Sequence, residues 1–267
     1  MPFYNDLAIG YLCCRITLMQ RYFISLAYNG LNYHGWQVQN NAVTVQEKVN
    51  EALSVVLGEL INCYGCGRTD TGVHASFFIA HFKVAKINPD LDLVFKLNSF
   101  LPKDIAIKKV FPVNEDAHAR FSAESRTYEY RVHFNKDPFI IGQSLYLRKI
   151  PSTQKMQQAC KILIQTKDFS SFCKVQSEHE THICELMEAS LISTQQGFNF
   201  KVKANRFLRG MVRALMGTLL EVGYGKMTLE RFKEVVALKD RKLAGPSVKA
   251  HGLFLVDIHY PKQIYIE

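Results

Sequence analysis

Hydrophobic and polar positions alternate along the chain in two different periods. Residues 21–28 are rich in aromatic and apolar side chains and predict a strand, closed by a turn at Asn29-Gly30. Val45, Val49, Leu53 and Val56 then recur at helical spacing, and Thr44 with Glu47 three residues on has the form of a capping box. Two apolar runs follow, 60–64 and 73–82, both read as strands, with a glycine-rich connection between them. A short helix over 90–99 and strands over 104–112 and 126–134 complete the first part. The second part predicts a helix over 152–165 with Met156, Ala159, Cys160 and Leu163 inward, and a hairpin over 186–193 and 197–204. It continues with a helix over 205–222 whose apolar face is Leu208, Met211, Leu215 and Leu219, a helix over 228–238 and a closing strand over 253–260.

This order predicts an α/β (α+β) chain with layers of helix on largely antiparallel sheet. Residues 1–20 break the pattern. Their positive residue, Arg15, follows most of the apolar stretch, whereas a secretory signal has its positive region first. They are read as an N-terminal extension outside the fold, with translation starting at Met19. The expected division is 1–20 extension, 21–118 first half and 119–267 second half.

Composition narrows the partner. Among 267 residues, 33 Lys and Arg against 24 Asp and Glu give a formal charge of +9, which favours an anionic partner such as nucleic acid. The seven cysteines are odd in number and irregularly spaced, which fits reduced thiols in a cytoplasm. No apolar run approaches the roughly 20 residues that span a bilayer. Cys63 and Cys66 form a Cys-x-x-Cys pair, but a zinc site would need His179, His182 or Cys184 as further ligands, and a second cysteine pair is lacking. Neither a dinucleotide fingerprint nor a phosphate loop is present, so no cofactor and no metal are expected.

The chemistry concentrates in the connection after residue 64. Arg68 stands two residues before Asp70, and glycines at 65, 67 and 72 bracket both. Glycine opens backbone conformations closed to other residues and lets a ligand approach. The pair is either catalytic, held on a tight loop by rigid strands, or an Asp-x-Gly turn carrying a surface ion pair. In the strand 126–134, alternation puts Arg126, Tyr128 and Tyr130 on one face, a combination suited to bases and phosphates. Arg206, Arg209 and Arg213, at spacings of three and four, form a basic stripe if 205–222 is helical throughout.

Residues 67–75, Gly-Arg-Thr-Asp-Thr-Gly-Val-His-Ala, resemble the signature of the TruA-type tRNA pseudouridine synthases. The blocks Tyr33-His34-Gly35-Trp36-Gln37, His118-Ala119-Arg120-Phe121-Ser122-Ala123, Arg126-Thr127-Tyr128-Glu129-Tyr130-Arg131, Asp168-Phe169-Ser170-Ser171-Phe172 and Phe207-Leu208-Arg209-Gly210-Met211-Val212-Arg213 resemble further blocks of that family, in family order. The resemblance implies two similar halves with mainly antiparallel sheets flanked by helices, a basic cleft between them, and a homodimer. It implies isomerisation of uridine to pseudouridine at positions 38, 39 and 40 of the tRNA anticodon stem-loop, without cofactor. By the same resemblance Asp70 is the nucleophile or otherwise essential carboxylate, and Arg213 pairs with it across the cleft. Arg68 holds phosphate or helps flip the target, and Tyr128 stacks on the target base. Arg126, Arg209 and Phe207 join Tyr128 in substrate binding. Residues 244–249, Ala-Gly-Pro-Ser-Val-Lys, depart from the family's run there and put that loop in doubt. A catalytically silent RNA-binding module would keep the charge and aromatics without needing Arg68, Asp70, Tyr128 and Arg213 together. A carboxylate hydrolase would want a second acid near Asp70, and none is evident in the sequence.

Overall fold

The computed structural model describes residues 19–174 and 181–266. Readings of residues 1–18, and of His179, lie outside them. The first strand, β1 (Met19–Tyr28), is followed by α1 (Val45–Leu57), whose capping box is complete: Thr44 accepts from Glu47 N and Glu47 accepts from Thr44 N. The predicted strand 60–64 reduces to β2 (Tyr64–Gly65), because the residues before it are tied to α1 by side chains instead: Cys63 N donates to Asn50 Oδ1 and Ile61 N to Ser54 Oγ. Next come β3 (His74–Ala85), α2 (Leu93–Phe100), β4 (Ile105–Pro112), β5 (Ser125–His133) and β6 (Leu145–Tyr146). The second part holds α3 (Thr153–Gln165), β7 (Leu186–Ser193), β8 (Gly197–Ala204), α4 (Met211–Gly223), α5 (Leu229–Leu238) and β9 (Leu253–His259).

Among the described residues nine strands join in one mainly antiparallel sheet of order β4-β1-β3-β9-β5-β8-β7, with β2 added at β3 and β6 at β5. The last strand in the chain, β9, lies in the middle. It pairs parallel with β3 at His74–Phe254 and Ala75–Leu255, and antiparallel with β5. That short parallel contact lies at the start of β3, just after the Asp70 loop.

Two apolar cores flank this junction. One joins β1, β3 and β4 to α1 and α2, and also takes in Leu255, Ile258 and Tyr260. The other packs β5, β7 and β8 against α3 and α4. Tyr128 packs against both.

The helix predicted over 205–222 begins only at Met211. Gly210 precedes it with φ 72°, a left-handed conformation that residues with a Cβ seldom adopt. Arg206 and Arg209 therefore lie in the loop before α4, and the three arginines do not form a helical stripe.

Candidate active site

The loop from Cys66 to Val73 is held by its backbone and by buried side chains. Cys66 N donates to Ile79 O, Trp36 N to Thr69 O, Gly72 N to Tyr33 O and Val73 N to Asp70 O. The buried Thr69 hydroxyl meets Tyr28 Oη at 2.9 Å. Two glycines allow this close fit. Gly35 has φ +89°, and a Cβ there would strike the Thr69 carbonyl; Gly72 has φ +75° and closes the turn. The Tyr33–Gln37 block thus lies directly against the Asp70 loop.

At the end of the loop His74 is buried and stacked on Phe254, with ring centroids 4.5 Å apart. Gly30 N donates to its Nδ1, so the ring proton sits on Nε2, beside the carbonyls of Gly142 (2.9 Å) and His251 (3.1 Å). Burial lowers its pKa and keeps the ring neutral. It is a fastening between loops, as the ordinary reading of a buried histidine holds.

Asp70 is half-buried, and two guanidiniums reach it. Arg213 Nη1 lies 3.5 Å from Oδ2 and Arg209 Nε lies 4.0 Å from Oδ1; the Asp70 side chain is 30% exposed. Arg213 is itself held. Its Nε donates to Val248 O at 2.8 Å, and Val248 N donates back to Arg213 O at 3.2 Å. The run 244–249, whose side chains depart from the family pattern, therefore supports Arg213 through main-chain atoms. It packs on α4 where Gly217 leaves room for Pro246 O, and Gly245 N donates to Thr218 Oγ1. Backbone support of this kind tolerates a change of side chains.

Tyr128 stands edge-on to Phe207, with centroids 5.1 Å apart and planes at 84°. Burial, then the Cys66 thiol, raise its phenol pKa; Arg126 opposes this and Asp70 adds to the rise. The hydroxyl therefore stays protonated at neutral pH and is a hydrogen-bond donor.

The structure redistributes the other candidates. Arg68 is exposed, and Asp70 takes its ion pairs from Arg209 and Arg213, not from Arg68. Tyr130 is fully buried, with its hydroxyl donating to Lys249 O at 2.7 Å, so it offers no stacking face. Arg126, expected to meet substrate, instead donates to four carbonyls: Ala123 and Asn205 through Nη1, Cys66 and Arg120 through Nη2. It clamps the Asp70 loop, the turn before β5 and the loop before α4 together. Such a role has no spacing signature, because its acceptors are backbone oxygens.

Cys63 and Cys66 are buried thiols with pKa pushed up to about 12 by burial, hence protonated. Among the described residues no group of three or more His, Cys, Asp or Glu is placed to hold a metal ion. Nor is any of their helices long and apolar enough to cross a membrane.

Comparison with known proteins gives this arrangement a family. A family model described as tRNA pseudouridine synthase matches residues 159–261. The tRNA pseudouridine synthase A of Parabacteroides distasonis is 48% identical, over 92% of this chain and 98% of the relative. That of Bacteroides thetaiotaomicron is 44% identical over 93% and 94%, and that of Actinobacillus pleuropneumoniae 38% over 91% and 94%. With such identity over nearly its whole length, the chain belongs to the tRNA pseudouridine synthase A family, isomerases that convert uridine to pseudouridine in tRNA.

Proposed function

We propose that the chain acts on uridines 38, 39 and 40 of the tRNA anticodon stem-loop, with Asp70 as the nucleophile. The observation that carries this reading is one carboxylate, partly open to solvent, set between Arg209 and Arg213 near the protonated Tyr128. The reaction breaks the bond from ribose C1′ to uracil N1 and forms one from C1′ to C5. C5 loses a proton, N1 gains one, and the product is an isomer. Neither electrons nor phosphate are transferred, so the residues themselves must supply an ionised carboxylate, cations and a pocket for the detached base.

A stacked uridine is out of reach, and flipping it costs roughly a few kcal/mol. Stacking on Tyr128, with Phe207 bracing the ring, returns about 1–3 kcal/mol. Exposed Arg68 serves phosphate or the space left by the flipped base. Arg209 serves both the carboxylate and the RNA backbone. The two halves, 21–118 and 119–267, flank a basic cleft for the RNA arm, and two chains associate as a homodimer in the cytoplasm. Backbone contacts by Lys and Arg make binding weaken with salt.

Mapping pseudouridine in an unmodified tRNA transcript after incubation with the protein alone tests this reading. Product at positions 38 to 40, without added metal or nucleotide, is expected. Binding without product would instead favour a silent RNA-binding module, and product at other positions would move the site.

A further inference from the structure

The turn before β5 carries a feature that the reaction chemistry does not use. Phe121 is 74% exposed, yet it is not loosely held. His118 Nδ1 accepts from both Arg120 N (3.1 Å) and Phe121 N (3.3 Å). His118 N donates to Ser122 Oγ, and Ser122 N donates to His118 O, each at 2.9 Å. Arg120 lies over the Phe121 ring, 5.3 Å from its centroid.

Behind the ring runs a continuous aromatic series. Phe121 and His118 are 4.4 Å apart, His118 and His81 4.4 Å, and His81 and Tyr64 5.4 Å. Burial and the neighbouring Arg21 and Arg120 lower the His118 pKa, leaving its Nδ1 free to accept. Tyr64 starts β2, just ahead of the Asp70 loop, and Arg126 Nη2 bonds the carbonyls of both Arg120 and Cys66. The exposed ring is therefore fixed relative to that loop through one guanidinium.

A rigid, solvent-facing ring with a cation on it suits a flat, electron-rich partner beside a negative charge. We propose that Phe121 and Arg120 form a stacking platform for an unpaired nucleobase flanking the target uridine, with Arg120 also meeting its phosphate. This deepens, and rests on, the reading of the Asp70 site as an RNA-modifying site. Stacking is tolerant of base identity, so the platform contributes affinity and register, not sequence choice.

The test reads binding and emission rather than turnover, so a failure of catalysis leaves it intact. Trp36 is the sole tryptophan of the chain and is buried, which makes Phe121→Trp a distinct, exposed reporter. Adding an unmodified tRNA transcript is expected to quench the emission of Phe121→Trp well beyond the small change in the wild type. Phe121→Ala is expected to bind the transcript about tenfold more weakly, and Phe121→Leu, which keeps the apolar bulk, to recover little of that loss. Native mass should be unchanged in all three. Wild-type affinity in Phe121→Ala with no quenching in Phe121→Trp would overturn the proposal. A changed native mass in Phe121→Ala would also overturn it, making the ring a contact between copies of the chain.

Discussion

Asp70 and Asp168 both sit in sequence blocks that resemble the same family, and both carboxylates are about equally exposed, at 30% and 25%. Their surroundings differ. Asp168 Oδ1 accepts from Ser170 N at 3.0 Å and from Ser170 Oγ at 2.6 Å, and Lys239 Nζ lies 2.9 Å from Oδ2. The block around it is structural: Phe169 and Phe172 are fully buried, and Ser171 Oγ donates to Val235 O. Asp70 has longer contacts, 3.5 and 4.0 Å, and its one hydrogen-bond donor among the described residues is Arg213. A carboxylate saturated by near neighbours stabilises a turn. One steadied by distant cations keeps lone pairs for a substrate. Membership of a motif block does not distinguish the two cases; the partner list does.

The comparison can be broken at the cations first. Arg213→Ala should lower single-turnover pseudouridine formation about a hundredfold, the scale of a lost charge-stabilising donor. Arg213→Lys should keep tRNA binding but recover little turnover, because one ammonium cannot hold both Val248 O and Asp70 at the observed spacing. Wild-type turnover in Arg213→Lys would show that charge alone is enough.

A smaller effect sharpens the other side. Asp168→Ala should cost about 1 kcal/mol of stability in denaturant titration and leave turnover unchanged. This loss should depend on pH. Burial alone would raise the Asp168 pKa, but the Ser170 hydrogen bonds and then Lys239 outweigh it and hold it at about 2, against an ordinary 3.8. A folded pKa below the unfolded one means the unfolded chain binds more protons in that window. The stability difference between wild type and Asp168→Ala should therefore be full above about pH 4 and fade as pH falls toward 2. A difference that does not change with pH would show that the charge of Asp168 plays no part in the turn's stability.

Local features were legible in the sequence wherever the cause was local. The Thr44 capping box and the inward face of α3 follow from neighbouring residues, and both stand in the structure. The start of α4 did not, because Leu208 fits the helical period and continues the apolar face, although Gly210 was a signal of the break. Alternation put Arg126, Tyr128 and Tyr130 on one face but could not say that the face is packed, nor that Arg126 is taken up by main-chain carbonyls. Proximity along the chain suggested Arg68 for Asp70. The partner that the fold supplies, Arg213, is 143 residues away and was named only through family resemblance.

One measurement bears most directly on the role given to Asp70. Asp70→Asn and Asp168→Asn are compared in parallel for single-turnover pseudouridine formation and for affinity, on one unmodified tRNA transcript at saturating protein. Asp70→Asn is expected to bind near the wild-type level and form no product, while Asp168→Asn forms product at the wild-type rate. Near-normal product from Asp70→Asn, or equal loss in both variants, would contradict the assignment of the reacting carboxylate to Asp70.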